Sequence, residues 1–426
     1  MEYNSIYDVK KAWLEALGGD PSPATNDYEV SLLLLDWYQT HSGHTPTIDY
    51  DGLIFKAGED GSTVAMENFG NNSAPNLEYS FDGENWETWD YSQINLNAGQ
   101  EVAFKGTNSG IGKAANRYSS FVMSGKIAAK GDIMSLLDNG ACTARTISGS
   151  YSFYALFSGC TSLTSAPELP ATTLGDRCYR FMFRGCTSLI TAPELPATTL
   201  ASACYTSMFN SCTSLINAPE LPATTLSSGG CYSYMFENCT SLTTAPQLPA
   251  TTLASACYGY MFNGCTSLTS APELPATTLV NQCYHYMFNG CTSLTSAPEL
   301  PATTLGSRCY RFMFGGCTSL TTAPELPATT MISECYSSMF SGCTSLTTAP
   351  VLPATTLANG CYNSMFQNCT SLTSVTSYAS DISATGCLTD WLDNVSATGD
   401  FYNLGTATYP SGESGIPTGW TEHTSL

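Results

Sequence analysis

A 26-residue unit recurs through the middle of this 426-residue chain, and no other feature restricts its fold as much. The unit reads Cys-Thr-Ser-Leu-Thr-x-Ala-Pro-Glu-Leu-Pro-Ala-Thr-Thr-Leu-x-x-x-Cys-Tyr-x-x-Met-Phe-x-x. It begins at Cys160 and returns at Cys186, Cys212, Cys239, Cys265, Cys291, Cys317, Cys343 and Cys369. Every step is 26 residues except Cys212 to Cys239, which is 27. The extra residue falls in Ser227-Ser228-Gly229-Gly230, which therefore reads as a loop. A unit this short cannot enclose a core, whereas stacked copies share one, so the array predicts a solenoid.

Within the unit, Leu-Thr-x-Ala-Pro-x-Leu-Pro reads as a short extended segment. Pro167 and Pro170 lack backbone donors, so any hydrogen-bonded strand spans only a few residues. Cys178, Met182 and Cys186 fall at i, i+4 and i+8, a helical spacing. One strand and one helical turn per coil give about nine coils, a rod of roughly 40–45 Å at ~4.8 Å per stacked strand. Eroded copies bound the array. Ser152-Phe153-Tyr154-Ala155-Leu156-Phe157 aligns with Cys178 to Phe183, and Cys387-Leu388-Thr389-Asp390-Trp391-Leu392 aligns with it at the other end. Eroded ends are expected of caps.

The stretch Cys-Tyr-x-x-Met-Phe-x-Gly-Cys-Thr-Ser-Leu resembles the Ala-Phe-x-x-Cys-x-x-Leu core of BspA-like leucine-rich repeats. The resemblance spans about residues 145–395, with Met182 and Phe183 at the Ala-Phe position, and the segment Val395 to Trp420 resembles the tails of such proteins. Two features depart from it: the family unit is usually about 23 residues, and cysteine here replaces an aliphatic residue in every turn. The resemblance implies surface proteins of gut and oral bacteria, or similar arrays in their phages.

Nineteen cysteines raise the question of disulfides or metal. Nine lie in one ladder from Cys160 to Cys369 and nine in another from Cys178 to Cys387, with Cys142 outside both. Eight residues of regular helix span ~12 Å, beyond the ~7 Å that a disulfide tolerates. A zinc site uses closer spacing than x₇. Packed thiols acting as small hydrophobes account for the pattern; disulfides between coils are the alternative. The four histidines are scattered, and neither a metal nor a cofactor is expected.

Upstream, residues 5–17 and about 27–40 read as two amphipathic helices separated by Asp20-Pro21-Ser22-Pro23. They either pack on the next domain or anchor the chain to a larger assembly. Residues 48–130 read as a small β-sandwich with hairpin signals at Asp60-Gly61 and Asp82-Gly83. The expected class is thus mixed α/β and multidomain: a helical anchor over 1–47, a sandwich over 48–130, the solenoid over 131–374 and a cap over 375–426. Trp86 and Trp89 either pack across strands or stack on a saccharide.

Charge excludes one class of partner. The net charge is −21, with 20 acids and 8 bases in residues 1–141 and 6 acids without a base in 375–426. Nucleic acid needs basic clusters that this chain lacks, and no apolar run approaches a membrane span. With Met1 as the start, a secretory leader is missing, which favours synthesis in a reducing compartment. The ladder Glu168, Glu194, Glu220, Glu273, Glu299 and Glu325 raises the idea of a polysaccharide depolymerase. Catalysis needs two carboxylates in unlike surroundings, and these repeat in like ones, so no enzyme is expected.

The functional expectation is a virion structural or receptor-binding protein of a phage. Its helices would meet other virion proteins, its rod would meet a host glycan or protein, and a homo-oligomer is possible. A secreted bacterial cell-surface adhesin is the alternative. Variation among copies follows Cys-Tyr, at Arg180-Phe181, Ser233-Tyr234, Gly259-Tyr260, His285-Tyr286 and Arg311-Phe312. These positions are either drifting solvated surface or a ligand-contacting convex face centred on Tyr234, Tyr260 and Tyr286, with Arg180, Phe181, Arg311 and Phe312 beside them.

Overall fold

Each repeat's Cys-Tyr-x-x-Met-Phe segment must bury apolar side chains in adjacent pairs, two in and two out. Cys178, Tyr179, Met182, Phe183 and Cys186 are buried, while Arg180, Phe181, Arg184 and Gly185 are not. A helical stripe and a run of tight four-residue turns both give that pattern. The computed structural model describes residues 47–70 and 74–425, and in it the segment is a ribbon of linked β-turns. Cys178, Arg180, Met182, Arg184 and Cys186 donate their N–H groups to the carbonyl three residues back. The intervening Arg177, Tyr179, Phe181, Phe183 and Gly185 donate to Ser202, Cys204, Thr206, Met208 and Asn210 of the next coil. Half the amides thus close turns and half join coils, so the ribbon's N–H groups are satisfied. Every fourth residue is left-handed: Arg177 at φ 55°, Phe181 at 61° and Gly185 at 72°. Alternate turns carry this residue third, as a type II turn requires.

The expected mixed α/β class is therefore overturned. Among the described residues the only helical element is a 3₁₀ turn at Ile133–Leu136, and the rest of the regular structure is β. The helical spacing at i, i+4 and i+8 arises from the four-residue turn period. The two helices expected over 5–17 and 27–40 lie outside the described residues.

On the opposite side of each coil the prolines leave only single parallel bridges, such as Thr173↔Thr199, Asn217↔Thr244 and Ser296↔Thr322. Ten successive ribbons, starting at Tyr151 and ending at Asn394, share this left-handed period, so both eroded copies adopt it. The extra residue of the unit that starts at Cys212 is absorbed between Leu226 and Cys231, in the approach to the fourth ribbon.

Upstream, β1 (Ile54–Ala57), β3 (Leu77–Ser80), β4 (Glu87–Thr88), β6 (Glu101–Gly106) and β8 (Ile127–Lys130) form one sheet. Its order is β4-β3-β6-β1-β8-β9, where β9 (Leu163–Ser165) belongs to the first coil and pairs parallel with β8. A second sheet holds β5 (Ile94–Leu96), β2 (Ser62–Phe69) and β7 (Tyr118–Ser124). The sandwich and the array share one core. Phe121 on β7 stacks on Phe157 at 5.4 Å, and Phe157 begins a file of parallel rings that runs through Phe183 to Phe366. A second file from Phe153 through Tyr179 to Tyr362 ends on Trp391 and Tyr409. Beyond it β10 (Ser374–Ser377), β11 (Gly399–Asn403) and β12 (Trp420–His423) make a parallel sheet closing the array.

Candidate functional site

The outward pair of each turn ribbon is where the copies differ. Tyr234, Tyr260, Tyr286 and Phe312 occupy the left-handed position in four successive coils, at φ 58°, 58°, 56° and 54°. Bulky side chains rarely adopt this conformation. Their rings stack at centroid separations of 4.5, 4.5 and 4.6 Å, within 16° of parallel. The buried files are wider, at 5.4 to 6.4 Å. The same position holds Ser207, Ser338 and Ser364 elsewhere, with the same positive φ. The coil therefore builds without an aromatic residue there.

The ladder is half-buried, and burial raises the phenol of Tyr260 to about 12 and that of Tyr234 above its usual range. His285 sits edge-on to Tyr260 at 4.9 Å, with Nδ1 2.5 Å from the Gln282 carbonyl. Burial chiefly, with Arg311 adding repulsion, lowers its pKa. Arg311 lies over Phe312 at 5.6 Å. Glu334 in the next coil holds Arg308 at 2.7 Å and Arg311 at 3.5 Å. Hydrogen bonding from Arg308 in turn holds the Glu334 carboxyl below its ordinary range.

Arg180 and Phe181 are not part of this ladder. They belong to the second ribbon, where Arg180 lies 4.7 Å over Phe181 and Phe181 meets Tyr154 edge-on at 5.5 Å. The tryptophans lie elsewhere again. Trp89 is 3% exposed, wedged against Phe104 at 5.0 Å and donating to the Ser92 carbonyl, so no ring face is open to a sugar. Trp86 is half-buried between Tyr50, at 5.1 Å, and Lys105, whose ammonium sits 4.4 Å over the ring. Sequence reasoning missed Tyr154, which meets Phe181, and Tyr118 and Tyr151, which meet Tyr154. Tyr151 and Tyr154 sit in an eroded copy, and Tyr118 is brought to them only by the packing of β7 on the first coil.

All nineteen cysteines are free thiols, and all but the half-exposed Cys142 are buried. The two ladders differ in chemistry. Each thiol of the first donates to the phenylalanine carbonyl of the preceding coil: Cys186 to Phe157, Cys212 to Phe183, and on to Cys369 with Phe340, at 3.0 to 3.1 Å. Cys160 bonds Phe121 of the sandwich in the same way at 3.1 Å. A hydrogen-bonding sulfur suits this site better than an aliphatic residue. In the second ladder, among the described residues, only Cys309, Cys335 and Cys387 make a contact of this kind, at 3.9, 3.9 and 3.2 Å. Burial raises the thiol pKa throughout, to about 12 for Cys160 and Cys178. No group of three His, Cys, Asp or Glu among the described residues is placed to hold a metal. No described helix is long and apolar enough to cross a membrane.

The carboxylates Glu273, Glu299 and Glu325 rim shallow grooves of about 380 and 280 Å³ between the Pro-Glu-Leu-Pro segments. One groove repeats the other a coil further on, so no carboxylate gains surroundings unlike its neighbour's.

A stack of near-identical coils with a constant interior and a variable outer turn defines a repeat scaffold for binding. A family profile, the BspA type leucine rich repeat region, matches in six copies over residues 149–246, 216–312 and 281–386, more than half of the chain. The chain belongs to the BspA-type leucine-rich repeat family, whose repeats are typically non-catalytic scaffolds for adhesion or protein binding. No curated protein and no solved structure matches it significantly.

Proposed function

We propose that the chain is a non-enzymatic adhesion protein of a phage particle that reads a host surface through its outward turn face. The observation that carries this reading is the Tyr234-Tyr260-Tyr286-Phe312 ladder. Ser207, Ser338 and Ser364 build the same left-handed turn with a small side chain. The left-handed strain of about 1–3 kcal/mol falls on serine and tyrosine alike, and stacking adds about 0.5–1.5 kcal/mol per pair. The serine coils show that the turn itself needs no aromatic residue, and aromatic residues are enriched where partners bind. The buried, unoxidised thiol ladders agree with assembly in a reducing cytoplasm.

The test is attachment of the labelled full chain to host cells, comparing the wild type with Tyr234→Ser/Tyr260→Ser/Tyr286→Ser. We expect the variant to keep its circular dichroism and lose attachment. Unchanged attachment refutes the ladder as the contact face. Mass spectrometry of purified particles checks the setting: recovery from bacterial envelopes, and not from particles, would make the chain a cell-surface adhesin.

A further inference from the structure

The junction between the sandwich and the first two coils carries a second cluster whose chemistry differs from that of the ladder. Here the rings do not stack in a file. Tyr118 meets Tyr154 at 5.1 Å and 62°, Tyr151 meets Tyr154 at 5.5 Å and 57°, and Phe181 meets Tyr154 at 85°. Tyr154 is buried and Tyr118 also stacks on Phe69 at 4.8 Å, while Tyr151 and Phe181 are partly exposed.

Three guanidiniums lie over the rings of Tyr151 and Phe181. Arg180 and Arg184 lie 4.7 and 5.4 Å over Phe181, and Arg177 lies 5.5 Å over Tyr151. Stacking of this kind holds a guanidinium in place while leaving its N–H edge free. Arg308 and Arg311 have their charge matched by Glu334. Arg177, Arg180 and Arg184 form no ion pair among the described residues, and the buried Nε of Arg180 has no hydrogen-bond partner. The neighbouring carboxylate, Asp176, accepts the Ser202 N–H at 3.0 Å.

The loop before β7 closes onto the first coil: Ile111 and Gly112 donate to the Ser152 carbonyl, and a side chain at Gly112 would meet the Tyr151 carbonyl at 2.4 Å. Three of the chain's 14 basic residues thus stand on the single ribbon beside this border, in a molecule of net charge −21.

We propose that this junction binds an anionic polysaccharide, its guanidiniums engaging the acidic groups and the partly exposed rings of Tyr151 and Phe181 packing against the sugar. Unpaired arginine recognises oxyanions through charge-assisted, bidentate hydrogen bonds. Apolar sugar faces pack on aromatic rings, which an acidic peptide does not require. The inference deepens the adhesion reading by naming a ligand class, but it uses residues separate from the ladder.

The test measures binding of the full chain to polygalacturonate and to dextran sulfate, with neutral dextran and polyglutamate as controls, at low and at 0.3 M salt. Both anionic glycans should bind, more weakly in high salt, and neutral dextran should not. Arg177→Gln/Arg180→Gln/Arg184→Gln should weaken binding about tenfold or more. Tyr151→Ser should weaken it about threefold to tenfold. The triple tyrosine variant of the ladder should bind the glycans like wild type, so failure of the ladder reading leaves this result intact. A preference for polygalacturonate over dextran sulfate assigns a carboxylate ligand, and the reverse a sulfate-like one. Equal binding of polyglutamate, equal binding of neutral dextran, or full binding by the folded arginine variant would overturn the proposal.

Discussion

Truncating one cysteine to alanine separates the two cysteine ladders. Cys265 and Cys257 are both fully buried and eight residues apart in the same coil. The Cys265 thiol donates to the Phe236 carbonyl at 3.1 Å, a carbonyl that also accepts the Cys239 N–H at 3.1 Å. Cys257 lies in the ladder where most thiols make no such bond. Serine does not separate the ladders: Ser152, at the second-ladder position of the first eroded copy, is buried and donates to the Gly149 carbonyl three residues back at 2.8 Å, so a hydroxyl finds an acceptor there. Alanine at either site loses the sulfur's apolar burial and leaves a small cavity, a comparable cost in both. At 265 it also removes a hydrogen bond, worth about 0.5–1.5 kcal/mol. Cys265→Ala should therefore be less stable than Cys257→Ala by about 0.5–1.5 kcal/mol. Urea unfolding followed by circular dichroism measures this, provided the slope with denaturant is unchanged between variants. Equal losses, or a greater loss at 257, would refute the argument that the first ladder is a hydrogen-bonded one.

Three further outcomes follow from the packing. Burial raises the pKa of the ladder thiols, so their stabilising protons are fully retained below the unfolded value of about 8.5; stability is then lost as pH rises past it. At about 1.4 kcal/mol per thiol per pH unit, ten such groups remove ~14 kcal/mol in one unit, and circular dichroism against pH should show unfolding near pH 9–10; a native signal at pH 11 would contradict the burial. The buried hydroxyl of Tyr284 has no hydrogen-bond partner, so Tyr284→Phe should leave stability unchanged or raise it by about 1 kcal/mol, and a clear loss in thermal unfolding would reveal a partner for the hydroxyl. Gly316 has φ 69° and room for a methyl group, whose nearest neighbours would lie at 3.7 Å or more, so Gly316→Ala isolates the left-handed strain at about 1 kcal/mol; no change in the urea midpoint would argue against the type II turn.

How far the fold was legible depends on the kind of signal. The period of 26, the shared core and the two eroded ends came from the spacing of Cys, Leu, Met and Phe alone, because stacked copies must present the same apolar face in each coil. The same spacing did not reveal the backbone. Buried positions at i, i+1, i+4 and i+5 suit one helical stripe and a four-residue turn ribbon alike, and Cys178-Tyr179-Arg180-Phe181-Met182-Phe183 contains nothing else that separates them. A weak local sign was present in the Gly or Asn before most first-ladder cysteines, as at Gly185, Asn238, Gly264 and Gly290, which sit at φ 72°, 59°, 74° and 73°. What decided the matter was the neighbouring coil. A helix would spend all its amides on itself, whereas here Tyr179, Phe181 and Phe183 donate to Cys204, Thr206 and Met208 of the next copy. Those acceptors exist only once the copies are stacked. The outer face divides the same way: the variable Tyr234, Tyr260 and Tyr286 could be read from one copy against the next. The junction of Tyr118 with Tyr154 and Phe181 was invisible, because residues 36 and 63 positions apart become neighbours only when β7 packs on the first coil.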